Sequence, residues 1–97
     1  ILLYYKFILM SLDIKNLKKR IIYRSSHRGT KEMDILISEF VESLIDKLPE
    51  EELLYLDKFI NFDDEKILNF INQDISKMNI SDIEKKIISY ILVFNNK

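Results

Sequence analysis

The sequence contains no cysteine, one histidine, one glycine and one proline, and each scarcity removes a class of chemistry. Without cysteine there is no disulfide, no thiolate ligand and no thiol nucleophile, a composition compatible with a reducing compartment. His27 alone leaves little for metal binding or for proton transfer near neutral pH. Phosphate-cradling loops need several glycines, so nucleotide binding through a P-loop or dinucleotide fingerprint is excluded. A chain so poor in reactive side chains is expected to bind rather than to catalyse.

What is present fits one folded domain. A chain of 97 residues with 47% hydrophobic content can build a core, although at this size folding hides only about 60 to 65% of the unfolded surface, so modest stability is expected. The net charge of -1 conceals a polarity along the chain. Lys15, Lys18, Lys19, Arg20, Arg24, Arg28 and Lys31 form a basic segment with no acid between them, whereas Glu32 to Glu65 holds twelve acids against Lys47 and Lys58. Two readings stand: opposite potentials that orient a partner, or two helix faces that attract each other. Nucleic-acid binding by the basic segment is disfavoured, because the acidic middle repels the same ligand.

The opening ILLYYKFILM is apolar apart from Lys6 and the tyrosine hydroxyls. It is shorter than the about 20 residues that span a bilayer, and no small-residue cleavage site follows, so membrane insertion is not expected. Residues 1–9 are read as a non-native or upstream extension, with Met10 as the biological start and 10–97 as a single helical domain. The alternative is a short apolar strip that packs on the domain or on a surface. A peptide covering Tyr4 to Leu9 in mass spectra of the native protein would overturn the first reading.

Periodicity is helical nearly throughout, and no stretch alternates long enough for a sheet. A first helix is expected from Leu12 to Ser26, with Ile14, Leu17, Ile21 and Ile22 on one side, ending where Gly29 supplies a C-terminal breaker. A second, Thr30 to Leu48, carries the cleanest amphipathic stripe, from Met33 through Ile37, Phe40, Val41 and Leu44. Pro49 suits the first turn of a third helix, with Glu50, Glu51 and Glu52 complementing its dipole. Asp63 or Asp64 can cap a short fourth helix, and Ser81-Asp82-Ile83-Glu84 opens a fifth with a capping-box pattern. Short connections between these elements favour antiparallel neighbours, giving an all-α, compact bundle of about five short helices.

The segment HRGTKE, residues 27 to 32, is the candidate recognition site. A glycine turn between two helices leaves backbone N–H groups at a new helix start, Arg28 offers a planar two-pronged donor, and Glu32 sits in the first turn. The alternative is an ordinary helix–turn–helix corner, with Gly29 as its cap and Glu32 complementing the dipole.

Read as R-G-x-x-E followed by Met33 and Asp34, this segment resembles the signature of the SdhE family, small flavinylation factors that assist assembly of succinate dehydrogenase. The resemblance runs from about Asp13 to Gln73 and includes Phe40, the LPEEEL block at Leu48 to Leu53 and the FDDEKILNFI block at Phe62 to Ile71. Phe70 stands where the family usually has tryptophan, and the isoleucine-rich last 20 residues carry no family signal. The resemblance implies a non-enzymatic assembly factor that binds the flavoprotein subunit of succinate dehydrogenase, and by extension of fumarate reductase. There it promotes bond formation between the 8α-methyl carbon of FAD and a histidine of the partner. It implies partner contacts through Arg28, Gly29 and Glu32, with Asp34 as a further candidate. As contact residues, Arg28 and Glu32 are expected to be dispensable for folding. The chain is expected to be a monomer with no stably bound cofactor and no metal, in a bacterial cytoplasm or, in a eukaryote, the mitochondrial matrix. Two alternatives come from other classes: a small regulatory module binding nucleic acid or a membrane surface, and a flavin transferase that binds FAD directly.

Overall fold

The computed structural model describes residues 2–95, except the side chains of residue 2, residues 7–11 and residue 75. Five α-helices follow one another: α1 (Leu2–Ser25), α2 (Lys31–Leu44), α3 (Glu50–Ile60), α4 (Asp64–Asn72) and α5 (Asp82–Asn95), with a 3-10 turn at Ile75–Lys77 before the last. No strand occurs among the described residues. α1 packs on α2 and α3, and α5 covers α3, α4 and α2. The core is the sum of the apolar faces: Ile21 from α1, Ile37, Phe40 and Val41 from α2, Leu56, Phe59 and Ile60 from α3, Ile67 from α4, and Ile87, Ile88 and Ile91 from α5, all buried. Each such side chain contributes about 1.5 to 3 kcal/mol by leaving water, which makes the three-helix contact around Phe40 and Phe59 the main cohesive centre. Their rings meet edge to face with centroids 6.4 Å apart.

Three boundaries differ from expectation. α1 opens at Leu2 instead of Leu12 and passes Met10 without interruption, because residues 1 to 28 hold neither glycine nor proline to stop a helix. Leu3, Tyr4 and Tyr5 are exposed, so the strip does not pack on the domain there. α2 stops at Leu44 and Ile45 to Lys47 form a turn, since the residue before a proline is pushed out of the helical region. Pro49 itself is the N-cap of α3, extended at φ -67 and ψ 164 with no side-chain cap bond, and the three glutamates that follow fill the first turn. The 3-10 turn was not expected; Asp74 nucleates it by accepting from the Ser76 N–H at 3.0 Å and the Ser76 hydroxyl at 2.7 Å.

The remaining caps follow the sequence signals. Asp63 Oδ1 accepts from the Lys66 N–H at 2.9 Å and starts α4. Ser81 Oγ accepts from the Glu84 N–H at 3.3 Å and its hydroxyl donates to Glu84 Oε1 at 3.1 Å. Phe70 packs half-buried against Phe59 and Phe62, with centroids 6.2 and 6.0 Å away, so the ring in the tryptophan position anchors the α3–α4 corner without an N–H. Lys66 lies 4.0 Å above the Phe62 ring and covers that corner.

The basic segment meets the acidic one. Lys18 pairs with Asp46 at 3.3 Å, and Arg20 and Arg24 both reach Asp57, at 2.9 and 3.7 Å. The reading of mutually attracting helices is thus realised where α1 meets α3, and Lys18 adds a pair to the turn after α2.

The α3–α5 seam contains a buried tyrosine. Tyr55 Oη has no hydrogen-bond partner of good geometry among the described residues. Burial pushes its pKa up to about 12, and the Glu84 carboxylate adds to the shift. The unfolded phenol ionises near pH 10 while the folded one stays neutral, so this stability is intact below pH 10 and is lost as pH rises towards 12. Urea titrations should show an alkaline loss of about 2 kcal/mol attributable to this group, absent in Tyr55→Phe.

Candidate functional site

The corner between α1 and α2 is built from local capping on both sides. α1 ends with Ser25 buried, its hydroxyl donating to the Ile22 carbonyl at 2.7 Å. The next turn is closed by His27, whose Nδ1 lies 2.7 Å from the Tyr23 carbonyl oxygen. A carbonyl only accepts, so Nδ1 carries the proton. The imidazole stacks on the Tyr23 ring with centroids 4.1 Å apart. His27 is therefore a helix-terminating residue. On the other side, Thr30 is the N-cap of α2, its Oγ1 accepting from the Met33 N–H at 3.3 Å.

Gly29 links the two with φ +114, the only positive φ among the described residues. That conformation favours glycine because a side chain would crowd the backbone. Beyond the two flanking residues, an added Cβ would meet no atom within 4 Å, so the outward side of the turn is open space. The glycine answers a backbone requirement and also leaves bare main chain at the surface.

Arg28 points the other way. Its side chain is only 6% exposed. Nε donates to Asp64 Oδ1 at 2.9 Å, Nη2 to the Phe62 carbonyl at 2.5 Å, and Nη1 to the Ile60 carbonyl. Three of the five guanidinium N–H groups are thereby committed to the α3–α4 corner. The expectation of a fork offered outward, on a residue dispensable for folding, is corrected: the planar donor matches two carbonyls and a carboxylate inside the chain. Asp34 is also turned inward, its Oδ1 accepting from the Arg28 backbone N–H at 2.5 Å. Glu32 is exposed, and among the described residues its carboxylate has neither a hydrogen bond nor an ion pair. Ile35, one turn further along α2, is 47% exposed.

The four candidates thus divide into Arg28 and Asp34, which hold the turn, and Gly29 and Glu32, which lie on its surface. Beside them a groove of about 390 Å³ runs between the two corners, lined by Arg24, His27, Arg28, Asn61 and Asp64 among others. Sequence reasoning missed Asp64 and the Ile60 and Phe62 carbonyls as partners of Arg28. They lie 32 to 36 residues away, and the sole hint was their place in or beside the FDDEKILNFI block.

Removing the Arg28 guanidinium would leave two carbonyls and a carboxylate without their donor. Denaturant unfolding of Arg28→Ala should show a loss of about 2 to 4 kcal/mol. Gly29→Ala should cost about 1 to 3 kcal/mol through backbone conformation alone, and Glu32→Ala should stay within about 0.5 kcal/mol of the parent chain.

Comparison with known proteins adds a second line of observation. A family model described as flavinator of succinate dehydrogenase matches residues 19–95. It therefore covers α5 as well, the part in which the sequence carried no recognisable family signal. Mitochondrial succinate dehydrogenase assembly factor 2 of Aspergillus flavus is 32% identical over 62 residues, covering 64% of this chain and 21% of that protein. FAD assembly factor SdhE of Acetobacter pasteurianus is 35% identical over 54 residues, covering 56% of this chain and 50% of the relative. Mitochondrial succinate dehydrogenase assembly factor 2 of Caenorhabditis briggsae is 44% identical over 50 residues, covering 52% of this chain and 39% of the relative. The chain thus aligns with half or less of the length of these curated relatives. No solved structure matches it.

Proposed function

The chain belongs to the family of flavinators of succinate dehydrogenase, and from that premise we propose that it docks on the flavoprotein subunit of succinate dehydrogenase and promotes covalent attachment of FAD there. The observation that carries this reading is the family match over residues 19–95, which takes in the whole α1–α2 corner and every element packed behind it. The names of the relatives, assembly factors of bacterial and mitochondrial origin, support the same role. A bacterial cytoplasm or the mitochondrial matrix is the corresponding compartment.

The geometry supports a clamp in place of a catalyst. Gly29 presents bare backbone with open space in front of it, and Glu32 presents a carboxylate with no internal partner among the described residues. In this reading the partner's main chain approaches at Gly29, and a donor of the flavoprotein meets Glu32. Arg28 and Asp34 act from behind by fixing the turn, so less ordering is required on docking. Binding that prefers the flavoprotein conformation with histidine and flavin aligned shifts the partner's population towards it. Covalent attachment of FAD would take place within the flavoprotein, and this chain keeps no FAD of its own.

Co-expression with a matched flavoprotein subunit, in cells lacking their own assembly factor, tests the reading by in-gel flavin fluorescence. The parent chain should produce a fluorescent subunit band. Glu32→Ala should weaken it by roughly fivefold, the ratio that a loss of about 1 kcal/mol in binding implies, with melting unchanged. No gain in covalent flavin from a demonstrably folded chain would overturn the proposal. A fully active Glu32→Ala would overturn the assigned contact.

A further inference from the structure

The groove beside the Gly29 turn joins two chain segments through one side chain, and the far end of that contact is Asp64. Asp64 follows the N-cap of α4, but the capping itself is done by Asp63, which accepts from the Lys66 N–H at 2.9 Å. The Asp64 carboxylate is thus free of capping and is used on Arg28 Nε at 2.9 Å, with its side chain 30% exposed. Nε is the guanidinium nitrogen nearest the Arg28 backbone, so an acceptor held there fixes the plane in which Nη1 and Nη2 meet the Ile60 and Phe62 carbonyls. At the other end, the Arg28 N–H is held by Asp34. A residue clamped at its backbone and along its side chain leaves the next peptide little freedom, and the next residue is Gly29.

We infer that Asp64 is a positioning residue for the partner-facing turn: through Arg28 it sets the backbone of Gly29 and thereby the placement of Glu32. This rests on the docking role proposed above, and it adds a residue of α4 that lies outside the R-G-x-x-E segment. Two neighbouring aspartates then have separable tasks, one to start a helix and one to orient a turn elsewhere in the chain.

The sequence provides its own reporter. With a single glycine, glycine-selective 15N labelling gives one amide cross-peak, that of Gly29. Asp64→Ala should shift or broaden that peak and weaken binding to purified flavoprotein subunit lacking covalent FAD by roughly tenfold. Asp64→Asn keeps an oxygen acceptor and should bring affinity back to within about threefold of the parent chain. Asp63→Ala should lower the stability of α4 while leaving the peak and the affinity in place. Should Asp64→Ala lose helicity, Asp64→Glu, which keeps the charge but displaces the carboxylate by one methylene, carries the same expectation. The inference is overturned by an unmoved Gly29 peak in Asp64→Ala, by Asp63→Ala reproducing the effect of that variant, or by an asparagine no better than alanine. If the parent chain fails to bind the flavoprotein while the peak responds as described, the docking role fails and the positioning link stands.

Discussion

The Arg28 guanidinium bonds together two corners of the chain that are more than thirty residues apart. Most of a helical bundle is held by apolar burial, which tolerates small rotations of one helix against another. A planar donor meeting two carbonyls and a carboxylate does not tolerate them, because each of its bonds has a direction. Burying that cation is costly in itself. The cost is offset because Asp64 supplies the opposite charge and two backbone oxygens that would otherwise lack donors are satisfied in the same place. The arrangement therefore contributes orientation where the core contributes cohesion.

That orientation gives the surface its character. The turn displays a bare peptide at Gly29 and a carboxylate at Glu32, and both would be poor recognition elements on a mobile loop. Between the Thr30 cap, the Asp34 bond to the backbone and the Arg28 side chain, the turn is held from three sides. In the proposed docking role, the chemical work falls to the partner and the factor's contribution is a shape. A stiff, small and nearly unreactive face suits that division, as does a sequence with one histidine and no cysteine.

Much of this fold was legible beforehand, because local rules dominate it. The stripe from Met33 to Leu44, the Asp63 and Ser81 caps and the glycine break each depend on residues within a few positions of one another. The misjudged features have physical reasons of the same kind. Pro49 constrained Leu48 and shortened α2, and nothing in the first ten residues stops a helix. The site was legible only in part. The turn could be read from Gly29, and Gly29 and Glu32 do lie at the surface. The inward turn of Arg28 could not be read, since its partners are brought near by the packing of α1 on α3, and two of the three are backbone oxygens that every residue possesses.

The placement of the charges has a consequence for behaviour in salt. The pairs of Lys18, Arg20 and Arg24 along the α1 seam involve at least one well-exposed partner, so counter-ions at the roughly 8 Å screening length of physiological solution compete with them directly. Arg28 lies beneath the surface, with carbonyl dipoles as two of its three partners, and dissolved ions reach it far less. Rising ionic strength therefore acts on the two kinds of contact in sequence, loosening the outer seam while the turn keeps its form. The turn that carries Gly29 and Glu32 is thus held by the contacts that dissolved ions reach least.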